Sequence, residues 1–118
     1  MPHVVIEGQV DVGEFFRGLE PIQERDSSGI RKITDAYVNT KGNSVLLESV
    51  VVENGLTQKF MIAVSTKGAG VTVRLLPLTD PEKTPGVKQL MADVARQIIA
   101  RFPGATFGKT NLQEFLGE

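Results

Sequence analysis

Alternation of apolar and polar positions marks four stretches of the chain as half-buried strands. Residues 30–40, 44–53, 57–66 and 71–78 are rich in Val, Ile, Leu and Thr and repeat with period two. Lys41-Gly42-Asn43, Asn54-Gly55-Leu56 and Lys67-Gly68-Ala69-Gly70 separate them, and such short glycine-bearing links predict an antiparallel meander. Residues 3–7, with β-branched content, predict a further strand near the start. A helical period appears first behind Asp11, where Glu14 completes a capping box and Val10 with Phe15 a hydrophobic staple. Val12, Phe15, Phe16 and Leu19 form its apolar stripe, Gly18 weakens it and Pro21 ends it. Residues 23–29 are charged, small and glycine-terminated, which reads as a loop. The strongest periodic signal is Val87, Leu90, Met91, Val94, Ile98 and Phe102, behind Thr84 as N-cap and Pro85 at the first helical position. Pro103-Gly104 stops that helix, and Thr110 or Asn111 caps a last short one carrying Leu112, Phe115 and Leu116.

Turn chemistry converts these strands into a register. Asn54-Gly55 favours a two-residue type I′ turn, because both central residues must take positive φ, so Glu53 opposes Leu56. Val45 then pairs with Val64, Leu47 with Ile62 and Ser49 with Phe60 on one face. Leu46 with Ala63, Glu48 with Met61 and Val50 with Lys59 occupy the other. If residues 67–70 form the next loop, Val73 lies beside Val64 and Leu75 beside Ile62, so two independent turns select the same core face. The first hairpin stays open, because a Gly42-Asn43 turn and a three-residue turn place opposite faces of 30–40 inward, with Tyr37 and Ala36 competing.

The order is β-α-β-β-β-β-α with an extra turn of helix, a single α+β domain over residues 1–118 in which a meander sheet packs on the long C-terminal helix. Over residues 4–102 this order resembles the helix-grip architecture of the START-like and TATA-binding-protein-like folds, in which a curved sheet wraps a long C-terminal helix. The resemblance implies a hydrophobic ligand held between helix and sheet, or, in the second variant, use of the open sheet face. Ser49, with Ala36 or Asp35, is a small or polar position in an otherwise large-residue core. That places an expected apolar-ligand pocket at Tyr37, Ser49, Phe60, Ile62 and Val94, with Arg31, Tyr37 or Ser49 as the orienting group. The competing expectation is a solid core filled by the phenylalanines.

Size and charge narrow the function classes. A chain of 118 residues, 41% hydrophobic and 23% charged, suffices for one core without staples. The absence of cysteine removes disulfides, thiolate metal sites and thiol nucleophiles, and suits a reducing compartment, so a cytoplasmic location is expected. No run approaches the ~18 apolar residues of a membrane span, and residues 1–8 lack secretory-signal features. A net charge of -1 removes the usual electrostatic case for nucleic acid.

Individual motifs carry little chemistry. Gly104-Ala105-Thr106-Phe107-Gly108-Lys109-Thr110 resembles a phosphate-binding P-loop but is one residue short and follows a helix, so Gly108 and Thr110 are expected in a turn and a cap. Met1-Pro2-His3-Val4-Val5-Ile6-Glu7 resembles the start of tautomerase-superfamily proteins of the hydroxymuconate-isomerase branch. That resemblance implies Pro2 as an amine base on a strand once Met1 is removed; the alternative is that Pro2 starts an edge strand. His3, the sole histidine, reads as a solvent-facing strand residue. Glu24, Asp26 and Asp35 fit no calcium loop and face competition from Arg25, Arg31 and Lys32. Gly68-Ala69-Gly70 joins two strands, so it reads as a hairpin loop rather than a dinucleotide fingerprint. No catalytic residue, metal or cofactor is assigned.

The anomaly lies on the outer sheet face. Leu46, Val50, Val52, Met61 and Leu76 fall there beside Glu48, Lys59, Thr72 and Arg74, whereas an open antiparallel face is ordinarily polar. Five large apolar residues touching across strands predict a partner surface, with a homodimer as the leading expectation because isologous pairing covers both copies at once. The alternative is that residues 112–116 fold back over the patch. Lys59 and Arg74 invite nucleic acid, but aromatic stacking residues are missing from that patch. The expected function is a non-enzymatic interaction module, with a helix-grip ligand binder and a tautomerase-like enzyme as alternatives.

Overall fold

The Asn54-Gly55 turn holds both residues at positive φ, 51° and 77°, and pairs Glu53 with Leu56. From that turn the register runs through Ser49 and Phe60, Leu47 and Ile62, and Val45 and Val64, as the spacing predicts. The computed structural model describes residues 1–117. The strands are β1 (His3–Glu7), β2 (Gln23–Asp26), β3 (Gly29–Val38), β4 (Ser44–Glu53), β5 (Leu56–Lys67), β6 (Gly70–Leu75) and β7 (Thr106–Thr110). The helices are α1 (Val12–Arg17) and α2 (Pro85–Arg101), and single 3-10 turns occur at Pro77–Thr79 and Gln113–Phe115. All strand pairs are antiparallel, in the order β2-β3-β4-β5-β6-β1-β7. The result is an α+β fold, a curled sheet with one main helix on it, compatible with a helix-grip-like arrangement.

One apolar layer joins the sheet to the helices. Val45, Leu47, Val51, Ile62, Val64, Val71, Val73 and Leu75 point inward from β4, β5 and β6, and Val4 and Ile6 add to them from β1. They meet Val87, Leu90, Met91, Val94 and Ile98 of α2 and Val12 and Phe15 of α1. Each such side chain, fully removed from water, stabilises the fold by about 1.5–3 kcal/mol before entropy is counted. Ser49 is the buried polar exception, and its hydroxyl donates to the Leu47 carbonyl at 2.9 Å.

Polar contacts set where the helices start. The Asp11 carboxylate accepts from the Glu14 amide at 3.0 Å, and Thr84 accepts from the Val87 amide at 3.3 Å, so both predicted caps form. Glu53, at the tip of the β4–β5 hairpin, accepts from the Gly86 amide at 2.8 Å and from the Thr84 hydroxyl. A carboxylate there complements the positive end of α2, and a Cβ on Gly86 would come within 2.5 Å of it. The hairpin tip and the helix start are therefore locked together.

Four expectations need correction. Residues 23–29 are not a loop, because β2 pairs with β3 and its hairpin is closed by Asp26 accepting from the Ser28 amide and hydroxyl. Gly108 and Thr110 do not form a turn and a cap, because residues 106–110 are β7, paired along β1. A Cβ on Gly108 would come within 2.8 Å of the Glu7 carboxylate, the movable end of an exposed side chain. Pro2 does not begin an edge strand, since β1 lies between β6 and β7. The final helix is only the 3-10 turn at Gln113–Phe115, with no side-chain cap.

The first hairpin answers the Tyr37–Ala36 competition with a bulge. Arg31 and Ile33 face inward, opposite Val51 and Ser49, but the register shifts between Ile33 and Asp35. Beyond the shift Ala36 and Val38 take the positions opposite inward-facing Leu47 and Val45, although Val38 remains 42% exposed, and Tyr37 faces outward beside Leu46.

Leu90→Ala should lower the unfolding free energy by about 3 kcal/mol, because it leaves a cavity in this layer. Leu56→Ala, on a residue 72% exposed, should change it by less than about 0.5 kcal/mol. Urea unfolding of both variants measures the contrast, and equal effects would contradict the layer described.

Candidate functional site

The outer face is built from residues that the pleat turns away from α2. Pairing sorts them into cross-strand rows. Ile30, Val52 and Thr57 form one row; Lys32, Val50 and Lys59 the next; Asp35, Glu48 and Met61 the third; Tyr37, Leu46, Ala63 and Arg74 the fourth. Successive rows are about 7 Å apart along the strands. Across β3, β4 and β5 the face therefore reads apolar, basic, acidic, apolar, with Arg74 of β6 closing the fourth row.

Leu46, Val50, Val52, Met61 and Leu76 are all half-buried, lying among the longer charged side chains of their rows. The tail does not cover them. Leu112 and Leu116 are buried with the core on the helix side, and the Phe115 carbonyl accepts from Gln89 Nε2 at 3.1 Å and Arg96 at 2.9 Å, both on α2. The expectation that residues 112–116 fold over the outer patch is thereby overturned.

The charges of the two central rows lack ionic partners. Among the described residues, Lys32, Lys59, Asp35 and Glu48 take part in no ion pair. Glu48 accepts from the Thr34 hydroxyl at 2.8 Å, and the Tyr37 hydroxyl lies 3.3 Å from Glu48 and 3.4 Å from Asp35. The Asp35 charge, and then that of Glu48, raises the Tyr37 phenol above its ordinary value, because phenolate would be a third anion in the same spot. A hollow of about 410 Å³ opens at the centre, lined by Thr34, Glu48, Ser49, Val50, Lys59, Phe60, Met61 and Thr79, two of which, Ser49 and Phe60, were expected to line a pocket.

The residues expected to line a ligand pocket are divided between the faces. Ser49, Phe60, Ile62 and Val94 come together in the core, where Ser49, Ile62 and Val94 have no exposure and Phe60 almost none. Tyr37 is 45% exposed on the opposite face. Arg31 does reach inward, but toward α2, where its Nε donates to Asp93 at 3.0 Å and its other arm to Asp26 at 3.0 Å. Burial pulls the Arg31 pKa down, and the bonds and charges of Asp93 and then Asp26 more than reverse this, so the guanidinium is held charged. Arg31 thus pins β2 and β3 to the helix.

At the chain start, Pro2 is buried and the Met1 carbonyl accepts from Asn111 Nδ2 at 2.7 Å. His3 is half-buried, with its ring Nδ1 3.0 Å from the same carbonyl. Among the described residues no group of three or more His, Cys, Asp or Glu side chains is arranged to hold a metal, and no helix is long and apolar enough to cross a membrane. The strand expected over residues 71–78 ends at Leu75, and Leu78, which that reading set in the strand, is instead 91% exposed on the Pro77–Thr79 turn; the signal for the break was Pro77. Comparison with protein-family models, curated proteins and solved structures finds no match.

Two titrations probe this geometry. Tyr37 is the only tyrosine and tryptophan is absent, so ultraviolet absorbance of phenolate reports it alone. Asp35→Asn combined with Glu48→Gln should return its midpoint toward the ordinary value of 10.0, and an unchanged midpoint would remove the two carboxylates as the cause. Hydrogen bonds from the Ser28 side chain and amide, and then Arg31, lower Asp26 to about 2 from 3.8. Its contribution to stability is present above the unfolded value of 3.8 and is lost as pH falls through about 2. Asp26→Asn should flatten that part of the acid limb in denaturant titrations at stepped pH.

Proposed function

We propose that this protein is a non-enzymatic interaction module that pairs with a second copy of itself through the outer face of the sheet. The observation that carries the reading is the order of the rows. An in-plane two-fold axis crossing the strands between the Val50 row and the Glu48 row lays the basic row of one copy on the acidic row of the other, with Lys32 over Asp35 and Lys59 one strand, about 4.8 Å, to the side of Glu48. The same operation brings the Ile30 and Val52 row onto the Tyr37 and Leu46 row. A pattern that is self-complementary in both charge and apolarity supports a second copy over an unrelated partner.

Size supports the reading as well. The molecule extends 39 × 33 × 24 Å, so a broad side can supply the roughly 800 Å² per partner that a standard interface uses. The half-buried state of Leu46, Val50, Val52, Met61 and Leu76 suits an interface whose rim and core alternate, since charged side chains already flank each apolar one. In the helix-grip reading a hydrophobic ligand sits between helix and sheet; the filled layer at Ser49, Phe60, Ile62 and Val94 lends that alternative no support.

Light scattering or sedimentation should give twice the 12.8 kDa chain mass. Met61→Lys with Leu76→Lys should give monomers with unchanged circular dichroism, and added salt should weaken the wild-type dimer because the central contacts are ionic. A wild-type chain that stays monomeric at millimolar concentration and low salt would sink the proposal.

A further inference from the structure

The outer face carries a hollow, and the turn at one end of it carries an exposed leucine. The hollow of about 410 Å³ runs across the two central rows and ends at Thr79. Thr79 is fixed there, because its hydroxyl accepts from the Met61 amide at 2.8 Å and donates to the Leu76 carbonyl at 3.3 Å. Those bonds hold the Pro77–Thr79 turn against the stretch of β5 that β6 does not reach, since β6 pairing stops at Ile62 and Leu75. Leu78, the middle residue of that turn, is 91% exposed, more than any other large apolar side chain among the described residues. A 3-10 turn tied to the sheet on both sides presents this leucine without a further ordering cost, which is the property of a preorganised anchor.

Resting on the self-pairing described above, the geometry points to Leu78 as the anchor of the dimer, seated at the Met61–Thr79 end of the partner's hollow. The turn lies level with the two central rows, because Thr79 bonds to Met61, and the two-fold axis runs between those rows. The rotation therefore brings each Leu78 over the same end of the opposite hollow, where Met61 and the stem of Lys59 offer apolar surface and Thr79 offers a methyl group. Two leucines and two hollows are satisfied by one symmetry operation. This accounts for the hollow and the exposed leucine together, and it identifies a residue outside the strands as the main source of affinity.

The chain has no cysteine, so introduced thiols report proximity without background. Leu78→Cys chains and affinity-tagged Met61→Cys chains are mixed, left to exchange and oxidised mildly. The expected product is a disulfide-linked heterodimer whose cross-linked peptide joins the two introduced positions, while tagged Leu56→Cys mixed with Leu78→Cys gives none. Leu78→Asp, on a side chain exposed in the single chain, should leave the fold intact and raise the dimer Kd at least about tenfold. A cross-link formed only between two Leu78→Cys chains would place the leucines against each other and overturn the seat. So would a Leu78→Asp dimer of unchanged Kd. Either result leaves the sheet-face dimer standing, whereas a wild-type monomer removes both readings.

Discussion

A pleated sheet has two faces, and in this chain only one of them has a helix to cover it. The contact between the inward side chains of β4, β5, β6 and β1 and the apolar stripe of α2 is what every other feature accommodates. It requires an unbroken alternation over ten and twelve residues in β4 and β5, since a slip of one residue would turn Leu47 and Ile62 to water and Glu48 and Met61 into the core. It also requires α2 to begin at a fixed place. The Glu53 carboxylate, carried on the tip of the same hairpin whose turn sets the register, provides that by receiving the Gly86 amide. Turn, register and helix start are thus linked through one short stretch of chain.

Electrostatics does a different job at the open edge. β2 is four exposed polar residues and buries nothing, so its attachment rests on backbone pairing and on Arg31. Arg31 spans Asp26 on β2 and Asp93 on α2, and Arg96 takes the other oxygen of Asp93 at 2.7 Å. The Arg31 and Asp93 side chains are only 14% and 10% exposed, where losing one partner would strand the other's charge in a poorly solvated place. This pairing confines α2 laterally, a constraint that nonpolar contacts, being non-directional, do not impose.

The parts legible in the sequence were those governed by local rules of strong amplitude. Asn54-Gly55 dictated a type I′ turn, Thr84-Pro85 a helix start, and the spacing from Val87 to Ile98 a buried face, and each produced a correct register or boundary. β2 and β7 escaped because neither alternates: Gln23–Asp26 is wholly polar, and Thr106–Thr110 has a central glycine and a single large apolar residue, Phe107. The face of Tyr37 was undecidable from loop length, since the bulge at residues 33–35 lets Ile33 and Ala36 share one face although they differ in parity. The candidate surface was visible as misplaced apolar residues. The arrangement of its charges into rows required the pairing of β3, and Leu78 required knowing that a turn follows β6.

The mixed character of the outer face suits the proposed pairing, in which the chain has to be stable both alone and in the dimer. A wholly apolar face would pair strongly but without a unique partner or register, and would leave the single chain prone to indiscriminate association. A wholly charged face would be content with water. Interleaving Val50 and Leu46 with Lys59 and Glu48 leaves each apolar group half-covered in the single chain, so the face is tolerable alone. In the proposed dimer, moving the axis onto either charged row would oppose like charges, so the same lysines and carboxylates would reject that alignment. What such a face lacks is a deep apolar anchor, because every large side chain in the rows is already partly occupied by its neighbours. In the proposed dimer, a leucine held outside the rows, on a turn bonded to Met61 and Leu76, would supply the missing nonpolar contact without disturbing the charge pattern.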